Sequence, residues 1–211
     1  MNIILLRHGA TRGNEEHRYV GTTDEALTPE SIRKLAAAAG GFRTRFLCGR
    51  PVLLLVSPMK RCRQTAELLT GGLAADSFSF AERVVPDFRE TDFGAFEYKT
   101  FAQLDGDPEY QRFIDSGGKT PFPGGESRSE VQERVTRAFR EELGKLSGTG
   151  CPPDTIVVIC HGGTIMSLME RFAVPHRPFY DWQCANLAGF SGRLALLPEP
   201  RITEVKPLTL A

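Results

Sequence analysis

Two short runs of apolar residues, far apart in the chain, each lead directly into a histidine. Ile3–Leu6 is followed by Arg7, His8 and a glycine, and Ile156–Ile159 is followed by a cysteine, His161 and two glycines. Uninterrupted apolar runs of this length are typical of parallel strands that are buried on both faces. Ligands of open α/β sheets bind outside the carboxyl ends of such strands. The pattern therefore predicts that both histidines lie at the functional edge of a sheet.

Further strands are predicted from three other segments. Pro51–Val56 is another apolar run, and it also ends at a polar junction. A short strand is expected over Glu82–Pro86, because Val84 and Val85 are β-branched. Between residues 185 and 205, short apolar runs alternate with glycine and proline turns, which predicts strands that complete the sheet and include an antiparallel edge.

Helices are predicted between these strands. Thr28 is a typical N-cap before Pro29, and the pair of glycines at 40 and 41 is expected to end this helix. Another helix should run from the basic junction at Lys60 through Leu69. The expected apolar stripe of the first helix consists of Ile32, Leu35, Ala36 and Ala39.

Two more helices flank the second histidine strand. Ser127 and Glu130 have the spacing of a capping box, which predicts a helix that runs to about Leu146. The helix after His161 should extend from Thr164 to about residue 172. Strands that alternate with helices in this way predict an α/β fold with a mostly parallel central sheet.

The composition and charge of the chain argue against several classes of function. The chain of 211 residues has 26 Lys and Arg against 26 Asp and Glu, so no overall field favours nucleic acid or a membrane surface. No apolar run approaches the roughly 20 residues of a spanning helix, and the first apolar stretch ends at Arg7, so no signal peptide is expected. Five cysteines without a C-x-x-C spacing argue against a disulfide framework or a zinc site and favour a cytoplasmic protein.

The residues around the first histidine suit an oxyanion. One histidine at a strand end is usually a hydrogen-bonded residue at the edge of a core, but two at equivalent strand ends favour a site. Arg7, Arg12 and Asn14 add planar donors of the kind that bind phosphate. Cys160 beside the second histidine could suggest a thiol nucleophile, although its place in an apolar strand favours a small buried hydrophobe.

With these residues, the chain resembles the histidine phosphatase superfamily, the phosphoglycerate mutase-like enzymes. Residues 7–14 match the signature R-H-G-x-[ST]-x-x-N without a departure, and residues 57–65 match S-x-x-x-R-[AC]-x-x-T. Glu90 lies in a segment similar to L-x-E-x-x-x-G-x-[WF]-[ED], in which Phe88 replaces the leucine. The pieces occur in the expected order, and the resemblance spans residues 1 to about 195.

The resemblance implies a fold and a set of roles. The fold would be a three-layer α/β sandwich, a mostly parallel central sheet with helices on both faces. His8 would attack phosphorus and become a phosphohistidine, and Glu90 would protonate the leaving alcohol. No metal or other cofactor is implied. The phosphate would be held by Arg7, Arg61, His161, Asn14 and Gly162.

Three other functions are alternatives to phosphomonoester hydrolysis. A metal site is disfavoured because no H-E-x-x-H or H-x-H spacing occurs and Arg7 would repel a divalent ion. A non-catalytic phosphoester-binding module would be expected to lack the nucleophile or the acid. A 2,3-bisphosphoglycerate-dependent mutase would be longer and would carry an E-R-H-Y-G piece, whereas Glu90 is followed by Thr91-Asp92-Phe93-Gly94.

The favoured function is therefore metal-independent hydrolysis of a small phosphomonoester, with α-ribazole phosphate as one candidate substrate. We expect a single domain, residues 1–211, with a lid-like insertion over about residues 98–126. Monomer and homodimer both remain open. Substrate specificity is expected from two loops, although ordinary loop packing is an equal alternative for the residues concerned, which are Arg18, Tyr19, Tyr110, Arg112 and Phe113.

Overall fold

The computed structural model describes residues 1–71, 80–148, 152–196 and 198–210, which form six strands in one sheet of order β3-β2-β4-β1-β5-β6. The strands are β1 Asn2–Arg7, β2 Val52–Val56, β3 Phe80–Val84, β4 Thr155–Cys160, β5 Ala188–Ala195 and β6 Arg201–Thr209. The α-helices are α1 Arg12–Glu15, α2 Pro29–Phe42, α3 Lys60–Thr70, α4 Phe101–Leu104, α5 Pro108–Asp115, α6 Arg128–Gly144 and α7 Gly162–Phe172. A π-helical turn, Arg43–Leu47, follows α2, and short 3₁₀ turns cover Pro86–Phe88, Gly94–Phe96, Lys145–Gly148 and Phe179–Trp182.

The two histidine strands are neighbours at the centre of the sheet. Strands β1 and β4 pair in parallel, with Leu5 opposite Val158 and Arg7 opposite Cys160. Strand β2 pairs in parallel with both β4 and β3, whereas β5 pairs antiparallel with β1 and β6. The predicted mostly parallel sheet with an antiparallel edge is confirmed. Because β1 and β4 end side by side, their loops share one edge.

Both faces of the sheet are covered by helices, as predicted for a three-layer sandwich. Alternate residues of the central strands point to opposite sides, so that Leu5 and Leu6 belong to different cores. The core on one face contains buried residues of α6 and α7, and the core on the other face contains buried residues of α2 and α3. The fully buried pattern of β2 and β4 explains why their sequences are apolar at every position except Thr155.

The predicted end and apolar stripe of α2 were wrong in part. The helix passes through both glycines to Phe42, and Ile32 and Ala36 are exposed. Its buried positions are Ser31, Leu35, Ala39 and Phe42. Phe42 is buried together with residues of the following π-helical turn, and burial of these side chains outweighs the low helix propensity of glycine.

The predicted strand over Glu82–Pro86 lies two residues too late. The observed strand β3 ends at Val84, which is exposed, whereas Val85 is buried and its amide donates to the carbonyl of Val56 at 2.8 Å. Pro86 opens a 3₁₀ turn. The β-branched pair therefore marks the end of the strand rather than its centre, since proline cannot extend the ladder.

Helix α6 begins with the predicted capping box. Ser127 accepts from the amide of Glu130 at 3.2 Å, and the Glu130 carboxylate accepts from the amide of Ser127 at 2.8 Å. Helices α4 and α5, in the segment that precedes α6, are short. Of the described helices, none is both long enough and apolar enough to span a membrane.

Candidate active site

His8 and His161 face each other at the carboxyl edge of the sheet. The amide of His8 donates to the carbonyl of Cys160 at 3.1 Å, which continues the β1–β4 ladder to this point. The two imidazole centroids are 5.0 Å apart, and both rings are almost completely buried. The structure thus brings together the two histidines that the strand-end pattern predicted.

One ring nitrogen of His8 is fixed by the backbone. His8 Nδ1 lies 2.7 Å from the carbonyl oxygen of Gly9, and because a carbonyl only accepts, Nδ1 carries the proton. Nε2 is therefore the basic nitrogen of the neutral ring. Burial lowers the pKa of His8 well below its usual value, and the nearby charges of Arg61 and Arg7 lower it further. A neutral ring with a free Nε2 is the form that can act as a nucleophile.

The His161 ring is held by the side chains of two small polar residues. Its Nε2 lies 2.7 Å from Ser57 Oγ and 3.5 Å from Cys62 Sγ. Burial, followed by the charges of Arg61, His8 and Arg7, lowers the pKa of His161 well below the usual value. The ring is therefore neutral at pH 7 in the unliganded site.

The cysteines near the site are inert thiols. Cys160 is fully buried, and burial raises the pKa of its thiol well above the usual value. The pKa of the buried Cys62 is raised to about 12 for the same reason. This agrees with the prediction of a small buried hydrophobe at Cys160, because a thiol nucleophile needs a lowered pKa. Cys48, Cys62, Cys160 and Cys184 are free, and Cys151 lies outside the described residues.

Arg61 is a fully buried cation at the start of α3. Its Nη1 donates to the carbonyl of Thr23 at 2.9 Å, and its Nη2 donates to the carbonyls of Gly21 at 3.1 Å and Val20 at 3.3 Å. These carbonyls bind the guanidinium without neutralising it. By contrast, Lys60 and Arg63 are exposed to solvent.

Arg7 approaches the same region from the end of β1. Its Nη1 donates to the carbonyl of Cys184 at 2.8 Å. Among the buried side-chain nitrogen and oxygen atoms of the described residues, two lack a hydrogen-bond partner. They are the Nε atoms of Arg7 and Arg61. Two buried N–H donors without an acceptor, both on guanidinium groups, are what an anion site requires.

Asn14 and Gly162 contribute neutral donors at the same edge. Asn14 Oδ1 accepts from the amide of Thr11 at 3.2 Å and from Asn186 Nδ2 at 3.3 Å, so its own Nδ2 is the group left to donate elsewhere. Helix α7 begins at Gly162 with His161 as an N-cap whose side chain makes no capping bond. The first amides of a helix have no intrahelical acceptor and attract anions. Asn14 and Gly162 both line the cavity described below.

Glu90 lies against the start of α7. Its Oε1 accepts from the amide of Thr91 at 2.9 Å, and a Cβ atom placed on Gly163 would lie 2.6 Å from Oε1. Gly163 must therefore be a glycine for the carboxylate to approach the helix so closely. The sequence reading did not single out this glycine, although the second glycine after a histidine was a visible signal.

A buried arginine of α6 holds the backbone on which Glu90 lies. Arg134 Nη1 donates to the carbonyls of Asp87 at 2.7 Å and Arg89 at 3.1 Å, and Nη2 donates to that of Glu90 at 3.4 Å. Its Nε and Nη2 also bind the Glu126 carboxylate at 2.8 and 2.7 Å. Sequence reasoning missed this contact, because it joins residues more than 40 positions apart.

A cavity of about 610 Å³ is lined at one end by Arg7, His8, Asn14, Glu90 and Gly162, whereas the fully buried Arg61 and His161 are not among its lining residues. Three residues predicted as specificity determinants, Arg18, Tyr19 and Phe113, line it. The other two residues, Tyr110 and Arg112, do not line the cavity. Tyr110 is buried, and Arg112 is exposed and paired with Glu109. Cavity residues that the sequence reading missed include Arg128, Phe179, Tyr180 and Gln183.

In the described part of the chain, no three His, Cys, Asp or Glu side chains are grouped in a way that could hold a metal ion. The positive groups that act on His8 are the guanidinium groups of Arg61 and Arg7. The arrangement can therefore bind a small oxyanion in front of a neutral histidine.

The two buried histidines predict how stability depends on pH. Their pKa values are lowered in the folded protein, so below about pH 6.5 the unfolded chain binds protons that the folded chain does not. The free energy of unfolding should therefore fall as the pH drops below about 6.5, by up to about 1.4 kcal/mol per pH unit for each histidine. Urea unfolding between pH 7.5 and 5.5 measures this slope.

The control for this prediction is the exposed His176. His8→Gln should make the slope smaller, whereas His176→Gln should leave it unchanged. An identical slope in His8→Gln and the unchanged protein would show that His8 does not resist protonation in the folded state.

The amino-acid sequence is similar to those of a known protein family. The sequence model of the histidine phosphatase superfamily (branch 1) matches residues 3–191. A bifunctional protein of Mycobacterium tuberculosis is 35% identical over 170 residues, which cover 80% of this chain and 43% of that protein. The chain thus spans less than half the length of the first curated relatives that it matches. A glucosyl-3-phosphoglycerate phosphatase of the same species is 30% identical over 184 residues, or 85% of this chain and 78% of that enzyme.

Solved structures share the fold. The α-ribazole phosphatase of Shigella flexneri superposes with a TM-score of 0.75 at 19% identity, over 96% of this chain and 94% of that one. A phosphoserine phosphatase of Entamoeba histolytica, in complex with 3-phosphoglyceric acid, gives a TM-score of 0.74 at 22% identity, over 99% and 98%. At such identities the likeness concerns the fold alone. The family match over residues 3–191 shows that the chain belongs to branch 1 of the histidine phosphatase superfamily.

Proposed function

We propose that the protein is a metal-independent phosphomonoester hydrolase that acts through a phosphohistidine at His8 on a small phosphorylated metabolite. One observation carries this proposal. His8 is neutral, presents a basic Nε2, and lies in the field of two arginines whose buried Nε donors lack a partner in the described structure. Those donors fit the oxygens of a phosphoryl group.

The proposed reaction has two displacements. In the first, His8 Nε2 forms a bond to phosphorus while the bond from phosphorus to the ester oxygen breaks, and protonated Glu90 gives its proton to that oxygen. In the second, a water oxygen attacks phosphorus, Glu90 takes the proton, and the Nε2–phosphorus bond breaks. Inorganic phosphate and an alcohol leave. A covalent intermediate divides one difficult displacement into two easier ones.

The remaining groups are proposed to stabilise the phosphoryl oxygens. Arg7 and Arg61 provide fixed guanidinium charge, and Asn14 and Gly162 provide neutral donors. His161 is neutral without ligand, and a phosphoryl dianion would favour its protonation by offsetting the arginine charges. Since the charge on the oxygens is balanced by side chains, the reaction needs no metal or other cofactor.

Hydrolysis is favoured over the mutase reaction, the alternative candidate, by the residues around Glu90. Thr91 and Gly163 enclose its carboxylate, and the E-R-H-Y-G piece of the mutases is absent. α-Ribazole phosphate remains a candidate substrate. The proposal also includes a single domain over residues 1–211, a lid-like insertion over residues 98–126, and a cytoplasmic location, which the free cysteines support.

The proposed function is tested by turnover of the purified, chelator-treated protein. An aryl phosphate is assayed in parallel with 3-phosphoglycerate in the presence of 2,3-bisphosphoglycerate. We expect release of inorganic phosphate from the aryl ester and no isomerisation of 3-phosphoglycerate. Efficient isomerisation with little phosphate release would make the protein a mutase, and loss of activity on chelation would contradict the metal-independent mechanism.

Arg134 is proposed as a positioning residue for Glu90. Arg134→Lys keeps the charge but cannot satisfy three carbonyls and a carboxylate together. We expect kcat for alkyl phosphates to fall about tenfold with a smaller change in KM, because a displaced general acid affects the chemical step. For aryl phosphates, whose leaving groups need less proton donation, the loss of kcat should be smaller.

The matched control is Arg137→Lys, an exposed arginine on the same helix. It should leave both kcat values unchanged. Equal loss of kcat for alkyl and aryl esters in Arg134→Lys would indicate a general structural defect instead of a displaced acid.

A further inference from the structure

The half of the cavity that receives the leaving group is walled by aromatic rings. Tyr19, Phe93, Phe113 and Phe122 line one side, and Phe179 and Tyr180 also face the cavity. The phosphoryl end, by contrast, contains His8, Arg7 and Asn14. A substrate bound with its phosphate at His8 would therefore place its alcohol portion among aromatic side chains.

The first wall is a packed cluster of fixed rings. The ring centroids of Phe113 and Phe122 are 4.3 Å apart, and those of Phe93 lie 5.0 Å from both Phe122 and Tyr19. The hydroxyl of Tyr19 is 2.9 Å from that of Tyr110, which is buried behind the wall. Because this hydroxyl already has a partner in the protein, the wall offers ring surfaces in preference to polar groups.

The second wall is set by an arginine and a glutamate. The Arg128 guanidinium lies 4.2 Å from the ring centroid of Phe179 and 5.8 Å from that of Tyr180. Glu170 accepts from Arg128 at 2.5 Å and from the amide of Phe179 at 3.0 Å. Tyr180 is half exposed and lines the cavity.

The two walls approach each other at a glycine. Gly118 has φ of +75°, and a Cβ atom placed on it would lie 2.3 Å from the Tyr180 hydroxyl and 3.4 Å from the Phe113 ring. Any other residue would be strained there and would collide with the second wall. The absence of a side chain at Gly118 thus lets the Tyr180 hydroxyl and the Phe113 ring both approach this point of the backbone.

The charges that line this half of the cavity are already balanced. Arg18 is paired with Glu16 at 2.5 Å, and Arg128 is paired with Glu170 at 2.5 Å. Beyond Arg7, no lining residue of the described chain is a cation without an acidic partner. A second anionic group on the substrate would lose its hydration in this half of the cavity and gain no countercharge.

From these observations we infer that the site selects phosphomonoesters of an uncharged alcohol that carries a flat aromatic ring. This inference rests on the proposed hydrolase function and specifies its substrate class. Stacking and burial of the ring supply the binding energy, and the absence of an unpaired cation discriminates against sugar-acid and amino-acid phosphates.

The test compares esters whose leaving alcohols have similar basicity. We expect kcat/KM for 2-phenylethyl phosphate to exceed that for glycerol 3-phosphate by about tenfold or more, which is the effect of burying one ring, and to exceed that for phosphoserine by a larger factor. In Phe113→Ala, the ratio of kcat/KM for 2-phenylethyl phosphate to kcat/KM for glycerol 3-phosphate should fall about tenfold. Phe101→Ala removes an exposed ring of the same insertion outside the cavity and should leave the ratio unchanged.

A binding measurement separates this inference from the proposed chemistry. Calorimetry with 2-phenylethylphosphonate and 3-phosphonopropionate, which cannot be hydrolysed, should show about tenfold tighter binding of the aromatic compound. Hydrolysis without preference for the aromatic ester, or equal binding of the two phosphonates, would overturn the inference and leave the hydrolase proposal intact. Aromatic preference in binding without any hydrolysis would instead contradict the hydrolase proposal.

Discussion

His8→Ala should lower turnover of any phosphomonoester by at least about 10⁴-fold, because it removes the proposed nucleophile. The variant should still bind inorganic phosphate or vanadate, since Arg7, Arg61 and His161 remain in place. Retained binding with lost turnover is the expected signature of a missing nucleophile. The measurements are kcat for an aryl phosphate and the dissociation constant for vanadate.

His176→Ala provides the control, because this exposed histidine lies outside the cavity. It should have the kcat and the vanadate affinity of the unchanged protein. Substantial turnover by His8→Ala would exclude the phosphohistidine route, and loss of vanadate binding together with turnover would point to a collapsed site.

Glu90→Gln should lower kcat for alkyl phosphates by about 10²- to 10³-fold, since glutamine cannot donate a proton to the leaving oxygen. Glutamine has nearly the same shape and can still accept from the amide of Thr91, so the loop should keep its position. For esters with good leaving groups, such as 4-nitrophenyl phosphate, the rate of phosphohistidine formation should fall less. The leaving-group dependence of single-turnover rates therefore measures the role directly.

Glu109→Gln changes an exposed carboxylate of the insertion in the same way and should have no effect on either class of ester. A uniform loss across all leaving groups in Glu90→Gln would assign Glu90 a role in binding or in loop structure, and would leave the general acid unidentified.

The central part of the fold could be predicted because its signals are local. Apolar runs such as Ile3–Leu6 are buried on both sides in β1, and the histidines follow at strand ends that become neighbours through parallel pairing. The capping box at Ser127 also depends on residues only three positions apart. Where a structure is decided by nearby residues, its pattern is visible in the sequence.

The two errors in the predicted elements have different causes. Two glycines at the end of α2 predicted a helix end, but burial of Phe42 beside the next turn extends the helix through them. Val84 and Val85 predicted the middle of a strand, although Pro86 ends it. In the first case a local helix preference of about 1 kcal/mol competes with burial of whole side chains, which is worth more. In the second case the proline decides, because it cannot extend the ladder.

The candidate site divides in the same way. Motif residues such as His8 and Arg61 could be named from the sequence, but the carbonyl contacts of Arg61 could not. Nor could the pairing of Arg134 with the Glu90 segment, or the aromatic wall that includes Tyr180. These contacts join segments that are far apart in the chain, and no spacing in the sequence records them.

The most direct test of the account is the identification of the covalent intermediate. The chelator-treated protein is mixed with a labelled phosphomonoester, quenched within one turnover and digested under alkaline conditions, in which phosphohistidine survives. Mass spectrometry should find phosphate on His8, in an amount that approaches one per chain and decays at the rate of turnover. Hydrolysis at full rate with no phosphate on His8, or with phosphate on another residue, would contradict the account.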